Sequence, residues 1–237
     1  MKIYAHRGCS GTCPENTLAA FRAAAELPIT GVEIDVHLTK DNEIVVIHDE
    51  KVNRTTNGRG YIKEMTLKEV KELDCGSWYA EEWSDEKIPT LDEVFDIFEN
   101  TTHRLNIELK SDVFPYDGLA DKVIDLATKR GFINRILISS FNHEDIQSVV
   151  QGKKVESAIL TFEVLVDVYD YARVIGTKRI HVSLPSAFRR MTTDALRKGA
   201  IVYTYTVNDI SYAEELQKIG VHGIFTDYPE KMLAYLS

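Results

Sequence analysis

The chain has 237 residues, of which 44% are hydrophobic and 27% are charged, and its formal net charge is -9. This composition is that of an ordinary globular protein, and the length suits one α/β barrel of ~250 residues or two small domains. The acidic balance disfavours nucleic-acid binding, which depends on basic surfaces. Neither a membrane-spanning apolar run nor a secretory signal is evident, so we expect a cytoplasmic protein that does not insert into membranes.

Short β-branched runs alternate along the chain with amphipathic helical patterns. Strands are predicted at residues 2–6, 31–36, 104–109, 135–139, 157–160, 179–183, 201–205 and 223–226. The clearest helices are predicted at 16–26, 91–99, 119–130 and 210–219. Four glycines between a helix and the next strand are expected to be left-handed helix caps: Gly31, Gly131, Gly199 and Gly220. Eight strand–helix units predict a closed TIM-type (β/α)₈ barrel within a single domain, 1–237, with an open doubly wound sheet as the alternative.

One segment interrupts the alternation. Residues 43–48 look like a strand, yet the link from the strand at 31–36 is too short for a parallel crossover, so an antiparallel hairpin is expected. We therefore predict an insertion at 37–89 after the second strand, containing a short helix that begins with the capping box Thr66 to Glu69. A second capping box, Thr90 to Glu93, is expected where the barrel resumes. Three aromatic residues of the insertion could line the entrance to the site or form the insertion's own core, and the core is favoured: Trp78, Tyr79 and Trp83.

The three cysteines, Cys9, Cys13 and Cys75, are an odd number, which argues against a disulfide framework. Cys9 and Cys13 are close in sequence, but no second pair of cysteines or histidines follows at zinc-ligand spacing. We interpret these two residues as small loop residues.

Ionisable residues collect at the predicted carboxyl ends of the strands, where such barrels carry their active sites. They are His6 and Arg7, Glu33 and Asp35, Glu108 and Lys110, and, after the hairpin, His48. Because strand side chains alternate, Glu33 and Asp35 face the same side. Three converging carboxylates repel one another, so either some of them become protonated or a cation lies among them, and their oxygens suit Mg²⁺ or Ca²⁺.

The remaining charges complement that cluster. Arg7 and Lys110 suit an anionic group such as phosphate, and His6 and His48 can transfer protons near neutral pH. Each residue also has a structural interpretation: His6 alone is more often hydrogen-bonded and structural, and Glu108 with Lys110 could be a simple salt bridge. The complete set at three strand ends and one insertion favours a functional site.

These residues, in this order, resemble the glycerophosphodiester phosphodiesterase family over nearly the whole chain, most weakly from about 150 to 200. The motifs that carry the resemblance are His6-Arg7-Gly8, Pro14-Glu15-Asn16-Thr17, Glu33-Ile34-Asp35, Val46-Ile47-His48-Asp49, Arg54-Thr55-Thr56, Asn106-Ile107-Glu108-Leu109-Lys110, Tyr205-Thr206-Val207-Asn208 and Thr226-Asp227. The resemblance implies a TIM barrel that hydrolyses small glycerophosphodiesters to glycerol 3-phosphate and an alcohol.

Residue by residue, the resemblance implies a divalent-metal site at Glu33, Asp35 and Glu108. It implies His6 and His48 as general acid and base, and Arg7 and Lys110 as phosphate ligands. Tyr205 would lie beside the substrate, where many relatives have Trp. The nucleophile, water or the neighbouring glycerol hydroxyl, stays open, as do the choice between Mg²⁺ and Ca²⁺, the alcohol released and the oligomeric state.

Three alternatives compete with this interpretation. The nearest is a lysophospholipase D or sphingomyelinase-like enzyme acting on lipids, which would need an apolar rim or a membrane-docking surface that the sequence does not indicate. A glycosidase barrel could use paired carboxylates but needs neither the two cations nor the two histidines. A non-catalytic binding barrel would be expected to lack a metal ligand or a histidine, and none is missing.

Overall fold

The computed structural model describes residues 1–152 and 155–236, and this part of the chain contains a closed barrel of eight parallel strands. Its first strand, β1, pairs with both its neighbour in sequence and the last strand, which closes the sheet. The barrel strands are β1 Lys2–Ala5, β2 Gly31–Leu38, β4 Arg104–Leu109, β5 Ile136–Ser140, β6 Ser157–Thr161, β7 Arg179–Ser183, β8 Ile201–Tyr205 and β9 Gly223–Thr226. The predicted barrel is confirmed, and each predicted strand lies within two residues of its observed bounds.

Helices follow the barrel strands and, with one exception, cover the outside of the barrel. They are α1 Leu18–Ala25, α2 Leu67–Glu72, α3 Leu91–Phe98, α4 Leu119–Lys129, α5 His143–Gly152, α6 Val168–Ile175, α7 Leu184–Ala187, α8 Arg190–Arg197, α9 Ile210–Lys218 and α10 Pro229–Leu236. The exception is α2, which belongs to the segment between β2 and α3. The helix predicted at 16–26 begins later because Thr17 is its N-cap and accepts a hydrogen bond from the Ala20 amide. Across the described residues, helices are too short or too polar to cross a bilayer.

The segment after β2 forms the predicted antiparallel hairpin. Its strand, β3 Ile44–Val46, pairs with the end of β2, which continues to Leu38, two residues into the predicted insertion. Both capping boxes form, at Thr66 before α2 and at Thr90 before α3. The bounds 37–89 of an insertion subdomain stay a prediction.

The composition of the insertion's core differs from the prediction. Aliphatic residues and one cysteine fill it: Val45, Ile47, Val52, Ile62, Val70, Cys75 and Ile88. Trp78 is 40% exposed and Tyr79 37%, while Trp83 is only half-buried, so the prediction that they form this core is wrong. The aliphatic set leaves them no buried space, and their polar atoms bond to the backbone: Trp78 Nε1 donates to the Cys75 carbonyl, and the Tyr79 hydroxyl to the Gly11 carbonyl in the loop after β1.

Side chains of the barrel strands alternate between an apolar outer face and an interior that becomes polar towards the carboxyl ends. Ile3, Val32 and Ile107 belong to the large core beneath the helices. Inside the barrel, Tyr4, Tyr203 and Phe225 form an aromatic cluster. The polar side chains described below lie on inward positions towards the carboxyl ends of the strands, which fixes the place of the site.

One glycine prediction is wrong for a geometric reason. Gly131, Gly199 and Gly220 have positive φ, as expected of helix caps, but Gly31 belongs to β2. A Cβ atom there would lie 2.0 Å from the carbonyl oxygen of Arg104 on β4, the residue that pairs with it. Gly31 is therefore required by close approach of two strands and not by a left-handed conformation.

We expect Gly31→Ala to lower the free energy of unfolding by about 3 kcal/mol or more, because neither backbone can move without disrupting the closed sheet. Gly131→Ala is the matched control, since its Cβ meets no atom within 4 Å and only the positive φ of 76° opposes it. That control should cost about 1–2 kcal/mol. Urea unfolding measures both, and equal losses would contradict the backbone-contact explanation.

Candidate active site

Three carboxylates meet at the carboxyl ends of β2 and β4. Glu33 and Asp35 project inward from β2, and Glu108 from β4 pairs in register with Asp35. One oxygen from each of the three lies within 4.8 Å of the others, and Glu33 and Asp35 are almost completely buried. The structure therefore brings together all three residues for which the sequence predicts a metal site.

The carboxylates are not equivalent electrostatically. Burial, together with the charges of Asp35 and Glu108, raises the pKa of Glu33 well above its ordinary value, and burial also raises the pKa of Glu108. Burial alone would raise the pKa of Asp35 as well, but Arg7 and Lys110 hold it below the usual range. The Oε1 atom of Glu33 is buried and has no hydrogen-bond partner among the described residues. The cluster is thus short of positive charge on the Glu33 side.

Arg7 contacts two carboxylates of this cluster, Glu33 and Asp35. Its backbone N–H donates to Glu33 Oε2 at 3.0 Å, its Nε lies 3.2 Å from Asp35 Oδ2, and its Nη1 donates to Glu15 Oε1 at 2.8 Å. Burial alone would lower the pKa of Arg7, but these carboxylates raise it above its ordinary value. Arg7 is therefore a fixed cation whose position depends on three acidic residues.

Lys110 is the second cation of the cluster. Its Nζ donates to Glu108 Oε1 at 2.8 Å, lies 3.9 Å from Asp35 Oδ1 and 3.3 Å from His48 Nε2. Burial alone would lower the pKa of Lys110, but Glu108 and Asp35 raise it. The Glu108–Lys110 pair considered from the sequence does form, and it lies inside the site as part of a larger network.

His6 is held by an aspartate from the far end of the chain. Its Nδ1 lies 2.7 Å from Asp227 Oδ1, and Asp227 also accepts from Ser10 Oγ at 2.9 Å and Asn208 Nδ2 at 2.6 Å. Burial would raise the pKa of Asp227, but these donors lower it to about 2. An ionised Asp227 can only accept, so the proton of His6 is on Nδ1 and Nε2 is left for other partners.

His48 has the same kind of partner. Its Nδ1 lies 2.7 Å from Asp49 Oδ1, and Asp49 accepts two further hydrogen bonds from Arg54, at 2.8 Å and 2.9 Å. Hydrogen bonds from His48 and Arg54 hold the pKa of Asp49 well below its usual range, against the opposing effect of partial burial. The proton of His48 is therefore also on Nδ1, and Nε2 can accept from Lys110.

A cavity of about 150 Å³ connects these groups. Its polar lining includes His6, Arg7, Glu33, His48 and Glu108, and its apolar lining includes Phe141, Leu160, Tyr205 and Phe225. The Tyr205 hydroxyl donates to the Thr161 carbonyl at 2.9 Å, so its ring is presented edgewise to Phe141. Of the eight predicted site residues, six line this cavity; Asp35 and Lys110 join it through Arg7 and Glu108.

Several residues of the site received no role from the sequence. They are Glu15, Asn16, Asp49, Arg54, Asn208 and Asp227. All six lie in the motifs that carry the family resemblance, and that resemblance is the sequence signal that could have identified them. Their roles depend on which side chains they meet across the fold, as Asp227 does with His6 over 221 positions of sequence.

The comparisons with known proteins agree with this geometry. The model of the "Glycerophosphoryl diester phosphodiesterase family" matches residues 6–231. The glycerophosphodiester phosphodiesterase of Caldanaerobacter subterraneus subsp. tengcongensis is 38% identical, with 98% of this chain and 96% of that protein covered. The enzyme of the same description from Bacillus altitudinis is 36% identical, with 97% and 96% covered.

A solved structure adds a bound ligand. It is an Oleispira antarctica phosphodiesterase in complex with the product sn-glycerol-3-phosphate, which is 31% identical with a TM-score of 0.88, covering 100% of this chain and 96% of that chain. The family match spans nearly the whole barrel, and the relatives are similar over almost their full length. This chain therefore belongs to the glycerophosphoryl diester phosphodiesterase family and is an enzyme, a phosphoric diester hydrolase.

Proposed function

We propose that this protein hydrolyses small glycerophosphodiesters to glycerol 3-phosphate and an alcohol, with a divalent metal ion, Mg²⁺ or Ca²⁺, as cofactor. The observation that carries the proposal is the presence of two histidine–aspartate pairs, three carboxylates and two cations around one cavity. The substrate class is supported by the Oleispira antarctica relative, whose structure contains sn-glycerol-3-phosphate.

The proposed metal ligands are Glu33, Asp35 and Glu108. Carboxylate oxygens suit a hard divalent cation, and the buried, unpartnered Oε1 of Glu33 is the kind of atom that such a cation would satisfy. When bound, the ion would supply positive charge to a phosphate oxygen. Burial, together with the charges of neighbouring carboxylates, raises the pKa of Glu33 and Glu108, and a cation among the three carboxylates would oppose that rise.

Arg7 and Lys110 are proposed to hold the phosphodiester. Lys110 is buried and Arg7 is partly buried, and carboxylates fix both, so the two cations are already oriented before the substrate arrives. Within the described residues, Nη1 is the one guanidinium nitrogen of Arg7 that donates a side-chain hydrogen bond, which leaves Nη2 for a phosphate oxygen. Lys110 would act as a point charge.

The two histidines are assigned different roles. His48 accepts a hydrogen bond from Lys110 at Nε2, so this nitrogen is unprotonated and can take the proton of the nucleophile. His6 has its Nδ1 on Asp227, and no described side chain donates to its Nε2, so His6 is proposed to protonate the leaving alcohol from Nε2.

Glycerol 3-phosphate release from glycerophosphocholine tests the reaction and its cofactor together. We expect activity to disappear in EDTA and to return when Mg²⁺ or Ca²⁺ is restored, because the carboxylates would otherwise repel the phosphodiester. Lysophosphatidylcholine is the comparison substrate for the lipid-cleaving alternative. Absence of release from glycerophosphodiesters with either ion would contradict the proposal.

Replacing one metal ligand should separate binding from folding. We expect Glu33→Gln to weaken metal binding by at least about 100-fold, beyond the ~10–100-fold cost of losing an outer-shell partner. Isothermal titration calorimetry with Mg²⁺ or Ca²⁺ measures this without an activity assay. Glu99→Gln, on the exposed end of α3, is the matched control and should bind the ion as the unaltered protein does. Equal affinities in the two variants would exclude Glu33 as a ligand.

Removal of the proposed base should affect turnover alone. We expect His48→Ala to lower kcat by ~10²–10⁴-fold, the usual contribution of one proton transfer, with metal affinity retained. Steady-state kinetics and calorimetry on the same preparation give the two quantities. Near-normal turnover would show that His48 is not the base.

A further inference from the structure

An aromatic rim borders the active-site cavity on the side of β5, β6 and β8. It consists of Phe141, Phe162 and Tyr205, whose rings form two contacts: Phe141 to Phe162 with centroids 5.8 Å apart, and Phe141 to Tyr205 with centroids 6.0 Å apart. Phe141 and Tyr205 line the cavity itself. Phe162 is 63% exposed, so much of its ring faces solvent at the edge of the cavity.

The position of Phe162 is fixed by its backbone. Its carbonyl accepts hydrogen bonds from Ser186 Oγ at 2.9 Å and Ser183 Oγ at 3.4 Å. The loop after β6 is thereby attached to the last residue of β7 and to α7. The backbone of Phe162 is therefore held in place, and its exposed ring lies against Phe141.

An acidic side chain lies beside the rim. Thr161 Oγ1 donates to Glu163 Oε2 at 3.0 Å, while the carbonyl of the same threonine accepts from the Tyr205 hydroxyl. Burial raises the pKa of Tyr205, and the charges of Glu108 and Glu163 raise it further. Thr161 thus holds an aromatic ring and a carboxylate next to each other at the mouth of the cavity.

Aromatic faces combined with a carboxylate are suited to one class of ligand, an organic cation, and trimethylammonium groups in particular are bound by aromatic side chains. We propose that the aromatic rim and Glu163 bind the leaving alcohol and that they select esters whose alcohol carries a quaternary ammonium group. The proposal rests on the proposed phosphodiesterase function, and it adds which alcohol is preferred.

The neighbouring charges agree with this choice. Lys110 Nζ lies 5.9 Å from the centroid of Phe141, but its charge is matched by Glu108 at 2.8 Å. A neutral polyol would leave the three rings without a polar partner, and an anionic alcohol would be repelled by Glu163. A cationic alcohol is attracted by both components of the rim.

The test compares three glycerophosphodiesters. They carry choline, ethanolamine or 3,3-dimethylbutanol, the uncharged carbon isostere of choline, and glycerol 3-phosphate release is measured with metal present. We expect kcat/KM for the choline ester to exceed that for the isostere by about three- to tenfold, the range that a partly exposed cation–π contact supplies. The primary ammonium of ethanolamine should give an intermediate value.

Two variants test whether the aromatic rim and Glu163 cause the selectivity. Phe162→Leu keeps an apolar side chain but removes the ring face, and Glu163→Gln keeps size but removes the charge. Each should move the choline-to-isostere ratio towards one. Phe188→Leu is the matched control, because Phe188 is also an exposed aromatic residue after β7 but packs on Tyr212, and it should leave the ratio unchanged.

The outcomes separate the two proposals. Release from all three esters with a ratio near one would overturn the rim's selectivity and leave the phosphodiesterase function standing. A high ratio that persists in both Phe162→Leu and Glu163→Gln, or that falls equally in Phe188→Leu, would also overturn it. Release from none of the three esters would overturn the phosphodiesterase function and with it the preference.

Discussion

Repulsion among three buried carboxylates is the constraint on which the rest of the site depends. Glu33, Asp35 and Glu108 stand where ionised groups lose most of their hydration, and an unpaired buried charge costs several kcal/mol. Arg7 and Lys110 offset part of that cost through contacts of 2.8–3.9 Å with Asp35, Glu108 and Glu15. Glu33 receives only a backbone N–H from Arg7, and burial together with the charges of Asp35 and Glu108 raises its pKa well above its ordinary value.

The loop after β1 is shaped by this requirement. Arg7 and Asn16 both have φ of 57°, an uncommon conformation for residues with side chains, and the Asn16 amide donates to the Arg7 carbonyl at 3.0 Å. The loop thereby aims the Arg7 N–H at Glu33 and the Asn16 side chain at Asp35. Backbone strain at these two positions is offset by the charge that they neutralise, a combination common at functional sites.

The barrel, the hairpin and the first residues of two helices could be predicted from the sequence because their sequence signals are local. Alternating β-branched runs, a link too short for a crossover, and the capping boxes at Thr66 and Thr90 each involve residues close together in the chain. Gly31 and Trp78 were misjudged because their environment is not local. The first is set by the backbone of β4, and the second by how completely aliphatic residues fill the insertion.

The residues of the site divide in the same way, into those that local sequence patterns predict and those that they do not. Glu33 and Asp35 could be assigned to one face from strand alternation alone, and the convergence of strand ends places Glu108 beside them. Asp227 and Asp49 could not be assigned as the partners of His6 and His48, because a hydrogen bond from an imidazole is decided by side-chain position within a few tenths of an ångström. These two aspartates fix which ring nitrogen carries the proton in each histidine.

The two histidines have different surroundings although both are paired with aspartates. Lys110 occupies the Nε2 side of His48, while in the described residues no side chain donates to Nε2 of His6. Burial would lower the pKa of Lys110, but Glu108 and Asp35 raise it, so the group that faces Nε2 of His48 is a charged ammonium. Glu108 and Asp35 fix the position of Lys110, so the carboxylate cluster also determines which of the two histidines has a cation beside its Nε2 atom.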